Sequence, residues 1–247
     1  MKRRQANSLV IDVGNTLTKL AIFCGDEMLH IEKHQELNCS LLSNLLVKYN
    51  INSAIVSTVG EFSAECEEFL TNRYSLIKFT SQTPLPIKNC YTTPNTLGPD
   101  RLAAAIGANA LFPNTNVLVI DSGTAITYEI VNIKGEYIGG AISPGISMRF
   151  KALNQFTAKL PLISMSDSFP LIGSNTHDSI LSGVLNGIVN EVDGYINSVR
   201  EQYSPLEIVF TGGDSFFFDK KLKNSIFVHP NLVLFGLNRI LKYNEHS

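Results

Sequence analysis

Apolar residues fall along this chain in short runs of two different periods. Leu9, Val10 and Ile11 run straight into Asp12, Gly14 allows a turn, and an alternating stretch returns through residue 22. This reads as a strand, a tight turn and a second strand. A third strand is predicted near 28–35, a helix near 40–49, a strand at 54–59, a helix near 62–73 and a strand at 75–79. The stretch SQTPLPIKN is a loop marked by Pro84 and Pro86, and the Ala-rich stretch 99–111 is a helix with Pro99 in its first turn. Strands follow near 116–121, 125–131 and 136–142, a helix around 147–155, and a polar loop over 157–175. Ile180, Val184, Leu185, Ile188, Val192, Ile196 and Val199 keep helical spacing along one long helix, 176–202. A strand at 207–210 meets the string TGGD, and a helix near 231–243 closes the chain. Strands interleaved with helices predict an α/β protein.

The opening pattern recurs. Residues 9–22 read LVIDVGNTLTKLAI and residues 118–131 read LVIDSGTAITYEIV. The spacing from Asp12 to Asp121 is close to half the chain, which suggests two domains on one plan rather than a solenoid of short repeats. The break is expected at Pro113 and Asn114, giving domains 1–113 and 114–247 with a hinge between them. The two hairpins would then confront each other across a cleft.

Composition narrows the class. The chain has 247 residues, 44% of them hydrophobic and 17% charged, which suits a globular protein with a sizeable core. With 20 basic and 22 acidic residues the net charge is −2, so no overall field attracts nucleic acid or an anionic membrane. The basic run at residues 2–4 is expected to be a solvated end, and against the family resembled below residues 1–7 are an addition that is disordered or extends the first strand. Cys24, Cys39, Cys66 and Cys90 form no CxxC pair and no zinc spacing, which suits reduced thiols in a cytoplasmic protein. No leader-like apolar core and no stretch of about 20 apolar residues is present, so no membrane span is expected.

A carboxylate at a strand end beside a glycine turn suits a phosphate site. The amides of Gly14, Asn15 and Thr16 can point at phosphate oxygens, the Asn and Thr side chains add donors, and Lys19 adds charge. Asp12 would repel phosphates unless a cation such as Mg²⁺ lay between them. Asp121, Ser122, Gly123 and Thr124 form the second such turn, with Thr124 placed like Asn15. Gly212 and Gly213 let backbone approach a flat adenosine group, and no GxxxxGK[ST] string is present. The string GPDR (98–101) puts Asp100 and Arg101 at a helix N-terminus, as a general base beside an anion holder. The same residues also suit an ordinary helix start, with Asp favoured by the helix dipole. The string GGAISPG (139–145) can wall a pocket, and Thr176 is expected to N-cap the long helix.

These strings resemble a known family. Two Asp-Gly hairpins in duplicated halves, followed by a Gly-Gly turn, resemble the actin, hexokinase and heat-shock ATPase superfamily. Within it, IDVGNTLTKLAIF, YTTPNTLGPDRLAAAIGA, VIDSGTAITYEIV, GEYIGGAISPGISMRFKAL, GSNTHDSILSG and TGGD, spanning residues 10–214, are similar to type III pantothenate kinases. The resemblance implies two duplicated actin-like (ribonuclease H-like) domains with mixed sheets flanked by helices. It implies transfer of the ATP γ-phosphate to the primary hydroxyl of pantothenate, the first step of coenzyme A synthesis. By the same resemblance Asp12, Val13, Gly14, Asn15, Thr16, Leu17, Thr18, Lys19 and Thr124 would contact ATP. Tyr91, Gly98, Pro99, Asp100, Arg101 and Thr176 would contact pantothenate, and Asp100 would be the proton acceptor. Arg101 would hold the pantothenate carboxylate or orient Asp100. Mg²⁺ would reach Asp12 through the phosphates, and Asp121 would bind a monovalent cation, K⁺ or NH₄⁺. A cytoplasmic homodimer is implied, with the pantothenate pocket near the dimer interface. Two other readings share the residues: another small-molecule kinase on the same fold, or a non-catalytic ATP-binding switch.

Overall fold

Leu9, Val10 and Ile11 are wholly buried, which is why their run forms the centre of a sheet rather than its edge. The computed structural model describes residues 7–245. The basic run and all but the last residue of the 1–7 addition lie outside the described residues. The described residues divide into two compact units: those up to Leu111 together with those from Leu232 onward, and Phe112–Asn231.

The first unit carries strands β1 (Asn7–Val13), β2 (Thr18–Cys24), β3 (Glu27–His34), β4 (Ile51–Thr58) and β5 (Ser75–Lys78), in the order β3-β2-β1-β4-β5. The β1–β2 and β2–β3 pairs are antiparallel; β4 lies parallel to β1 and β5 parallel to β4. Helices α1 (Cys39–Leu46) and α2 (Ala64–Thr71) cover one face, where Leu9, Ile11, Leu20 and Ile22 meet Leu42, Leu45 and Leu70. After a short strand β6 (Lys88–Asn89) comes α3 (Pro99–Leu111), which packs with the closing helix α7 (Leu232–Glu245). A side chain at Gly236 would put its Cβ 1.8 Å from the Ala103 carbonyl oxygen, so the two helix backbones touch. The sequence suggested a single break at Pro113 and Asn114. The closing helix instead joins the first unit, because the small residues of α3 accept it at backbone distance.

The second unit repeats the plan. Its strands are β7 (Asn116–Ser122), β8 (Ala125–Val131), β9 (Glu136–Pro144), β10 (Leu206–Thr211) and β11 (Phe227–Val228), and they run β11-β10-β7-β8-β9. The antiparallel hairpin and the parallel neighbour recur: β7–β8 and β8–β9 are antiparallel, β10 is parallel to β7 and β11 to β10. Helix α4 (Ile146–Gln155), the long α5 (Thr176–Gln202) and the short α6 (Ser215–Asp219) cover one face. The stripe read from the sequence, Ile180 through Val199, is the buried side of α5. Phe217 and Phe218 join that core, while Phe216 is exposed.

Candidate functional site

Asp12 is the next-to-last residue of β1, opposite Lys19 on β2 and alongside Ser57 on β4. The following turn closes through the Gly14 N–H donating to the Leu17 carbonyl at 3.1 Å. Asn15, Thr16 and Leu17 form an exposed tip, while Val13 and Thr18 are buried at its base. The backbone N–H groups of Asn15 and Thr16 meet no acceptor among the described residues, so both can serve an incoming anion. The turn is supported from below by the segment that follows β4. The Val59 N–H donates to the Val13 carbonyl at 3.0 Å, and a Cβ on Gly60 would lie 3.8 Å from the Gly14 carbonyl oxygen. The glycine just past β4 was the available signal.

Burial pushes the Asp12 carboxyl up to about 6; Lys19 opposes the shift and the Asp100 charge adds to it. A carboxylate kept uncomfortable in this way favours a nearby cation. Among the described residues no three His, Cys, Asp or Glu side chains form a metal cage. A divalent ion at Asp12 would therefore take its other ligands from phosphates and water, as Mg²⁺ commonly does.

That raised pKa makes a stability prediction. The unfolded carboxyl titrates near 3.8 and the folded one near 6. Above pH 6 the folded state carries the cost of a buried charge, on the order of 3 kcal/mol, and the cost fades as pH falls toward 4. Asp12→Asn should therefore melt at a higher temperature than the parent at pH 7.5 and converge with it near pH 4. Thermal melts of both proteins at the two pH values check this. An Asp12→Asn protein no more stable at pH 7.5 contradicts it.

Asp100 sits in the first turn of α3, and its Oδ1 accepts from the Arg101 N–H at 2.9 Å. A Cβ on Gly98 would come within 2.5 Å of that oxygen, so the residue before Pro99 leaves the carboxylate its room. Arg101 is buried, with its guanidinium carbon 5.8 Å from the centre of the Tyr91 ring. Tyr91 is itself pinned by its N–H donating to Asn89 Oδ1 at 3.0 Å. Asp12, Asp100, Arg101 and Tyr91 thus belong to one unit, close enough for the Asp100 charge to act on Asp12.

The second unit holds the other turn. Asp121 lies opposite Thr127, and the Gly123 N–H donates to the Ala125 carbonyl at 2.9 Å. The TGGD segment leans directly on it. Gly212 has φ +93°, and a Cβ there would fall 2.2 Å from the Ser122 carbonyl oxygen and 2.5 Å from Asp121 Oδ1. The Asp214 N–H donates to the Ser122 carbonyl at 3.1 Å, and burial raises the Asp214 carboxyl pKa. The wholly buried Ser122 hydroxyl has no hydrogen-bond partner among the described residues. A carboxylate, carbonyls and an orphaned hydroxyl make an all-oxygen donor set, which suits a hard cation.

Thr176 is the first residue of α5 rather than its cap. Asn175 Oδ1 accepts from the Asp178 N–H at 2.9 Å, and Asn175 Nδ2 donates back to Asp178 Oδ2. Asn competes well for this position, and an Asn with Asp three residues on was the sequence signal. Thr176, freed from capping, lines a cavity of about 980 Å³ together with Arg149, Leu153, Phe156, Ile180 and Val184.

Known proteins resemble this chain in sequence and in fold. A family model described as type III pantothenate kinase matches residues 8–198. A type III pantothenate kinase of Phocaeicola vulgatus is 44% identical over 239 residues, covering 96% of this chain and 99% of that protein. A Campylobacter jejuni protein described as a conserved putative Baf family transcriptional activator superposes with TM-score 0.62 at 21% identity, over 97% of this chain and 100% of that one. A putative N-acetylmannosamine kinase of Listeria monocytogenes, Lmo2764, does so with TM-score 0.56 at 12% identity, covering 97% and 99%. At such identities these two structures speak for the fold alone, a two-sheet α/β architecture.

Proposed function

This chain belongs to the type III pantothenate kinase family, and from that premise we propose that it transfers the ATP γ-phosphate to the primary hydroxyl of pantothenate. The product is 4′-phosphopantothenate, and the reaction opens coenzyme A synthesis. The observation that carries the reading is the gathering of Tyr91, Gly98, Asp100 and Arg101 at the start of α3, in the unit that holds the Asp12 turn.

Residues 12–19 receive the phosphates of ATP through the open amides of the turn and through Lys19, and Thr124 is a further nucleotide contact. Mg²⁺ at Asp12 and K⁺ or NH₄⁺ at Asp121 would neutralise the charge that spreads over the transferring phosphoryl group. Asp100 takes the proton of the pantothenate hydroxyl as its oxygen bonds to phosphorus and ADP leaves. Arg101 serves both ends by different atoms. Its backbone N–H orients Asp100, and its side chain, standing with Tyr91, holds the pantothenate carboxylate. Gly98 and Pro99 shape the approach, and Thr176 supplies a further polar contact. Positioning and charge neutralisation supply most of the catalysis in such transfers.

The homodimer is part of the same proposal. Ile142, Met148, Phe156, Leu162, Leu171 and Ile172 of the second unit are all exposed, and Phe156 and Ile172 exceed 80%. So large an apolar display suits burial against a second copy. No described helix is long and apolar enough to cross a membrane.

An ADP-release assay over a panel of acceptors tests the substrate. Pantothenate is expected to stimulate release strongly, and sugars, glycerol and acetate to leave it at background. Stimulation by a sugar instead would reassign the acceptor, and ATP binding without turnover on any acceptor would favour a switch protein.

A further inference from the structure

Arg149 lies on α4, outside every residue assigned above to ATP, pantothenate or metal. Its Nε donates to the Pro144 carbonyl at 2.9 Å, and its Nη2 donates to Ser143 Oγ at 3.0 Å and to Glu191 Oε2 at 2.7 Å. Ser143 and Pro144 are the last residues of β9, paired directly with Ile126 and Ala125. Those two residues are the first of the strand that leaves the turn at 123–124. The next residue, Gly145, touches that turn. Its N–H donates to the Thr124 carbonyl at 3.1 Å, and a Cβ on it would lie 2.2 Å from the Gly123 carbonyl oxygen. Gly145 also accepts from the Arg149 N–H at 3.1 Å, so main chain and side chain of Arg149 both act on this short segment.

We infer that Arg149 is a positioning residue for ATP, acting through the end of β9 to set the height of the turn at Gly123 and Thr124. The inference rests on the reading of Thr124 as a nucleotide contact. Glu191 gives the guanidinium a fixed point on α5, the longest helix of the unit, and the Tyr128 hydroxyl donates to the same carboxylate at 3.5 Å. The planar fork of an arginine meets three acceptors in fixed directions, which a lysine cannot reproduce. Arg149 and Glu191 are partly exposed, and ion pairs in such places add little to overall stability. The arrangement therefore governs local geometry more than folding.

Steady-state kinetics and thermal melts of Arg149→Ala, Arg149→Lys and Thr124→Val test this. Arg149→Ala is expected to raise KM for ATP about tenfold, with KM for pantothenate within about twofold of the parent. Arg149→Lys is expected to fall between the two and to melt like the parent, which separates placement of the turn from loss of fold. Thr124→Val serves as the benchmark and is expected to raise KM for ATP by itself. If it does so while both Arg149 variants keep the parent value, the inference is overturned and the nucleotide reading stands. If Thr124→Val leaves KM for ATP unchanged, the nucleotide reading of this turn is overturned and the inference with it.

Discussion

Asp100→Asn is expected to lower kcat by at least ~100-fold with little change in affinity for ATP, the signature of a lost general base. The substitution is nearly isosteric, and an amide oxygen can still accept from the Arg101 N–H, so the start of α3 should keep its shape. What disappears is the ability to take a proton from the acceptor hydroxyl. The charge effect on the neighbouring turn has a definite sign. Asp100 now helps raise the Asp12 pKa, so its neutralisation lets Asp12 ionise more readily and, if anything, tightens binding of a cation-bound nucleotide. A lower kcat with an unchanged or slightly lower KM for ATP is therefore the expected pair of results in initial-rate measurements. Near-normal turnover would remove Asp100 from proton transfer.

Asp121→Ala should abolish the response to potassium together with most of the activity, on the order of 100-fold. The carboxylate lies where β7, the turn at 123 and the TGGD segment converge, beside the orphaned Ser122 hydroxyl and the close-approaching Gly212. Removing it takes away the carboxylate of that donor set. Rates measured with potassium, ammonium and sodium chloride at constant ionic strength give the readout. If potassium activates the variant by the same factor as the parent, the cation is bound elsewhere.

Much of this architecture was legible in the sequence because several of its devices are local. The Leu-Val-Ile-Asp-x-Gly string can only be a buried strand that ends in a turn, and its recurrence at 118–123 announced the duplicated sheets. Pro99 at a first helical turn marked the start of α3, and the apolar stripe of α5 carried its own length. Other features depend on contacts between distant segments. The closing helix joins the first unit because Gly236 meets the Ala103 backbone, a relation no single stretch reveals. Helix α6 and strand β11 are too short for a period to show. The cap of α5 is ambiguous by one residue in the sequence because Asn175 and Thr176 are both good caps, and only the hydrogen bond from the Asp178 N–H decides for Asn175. The role inferred for Arg149 is not legible in the sequence, since it rests on three acceptors drawn from two other elements.

Asp12 shows how function and stability part company at such a site. A carboxylate buried beside Lys19 and within the influence of Asp100 is a poor choice for an isolated fold. It becomes sensible once a cation and phosphates are bound, so the local cost in the free protein marks the place where ligand is expected.

The most direct test of the whole account is ³¹P NMR of the protein incubated with ATP, pantothenate, Mg²⁺ and K⁺. A new phosphomonoester resonance growing in step with ADP, and assigned to 4′-phosphopantothenate by its coupling to the adjacent methylene protons, is the predicted result. ADP accompanied only by inorganic phosphate, or no change in the ATP resonances, would contradict it.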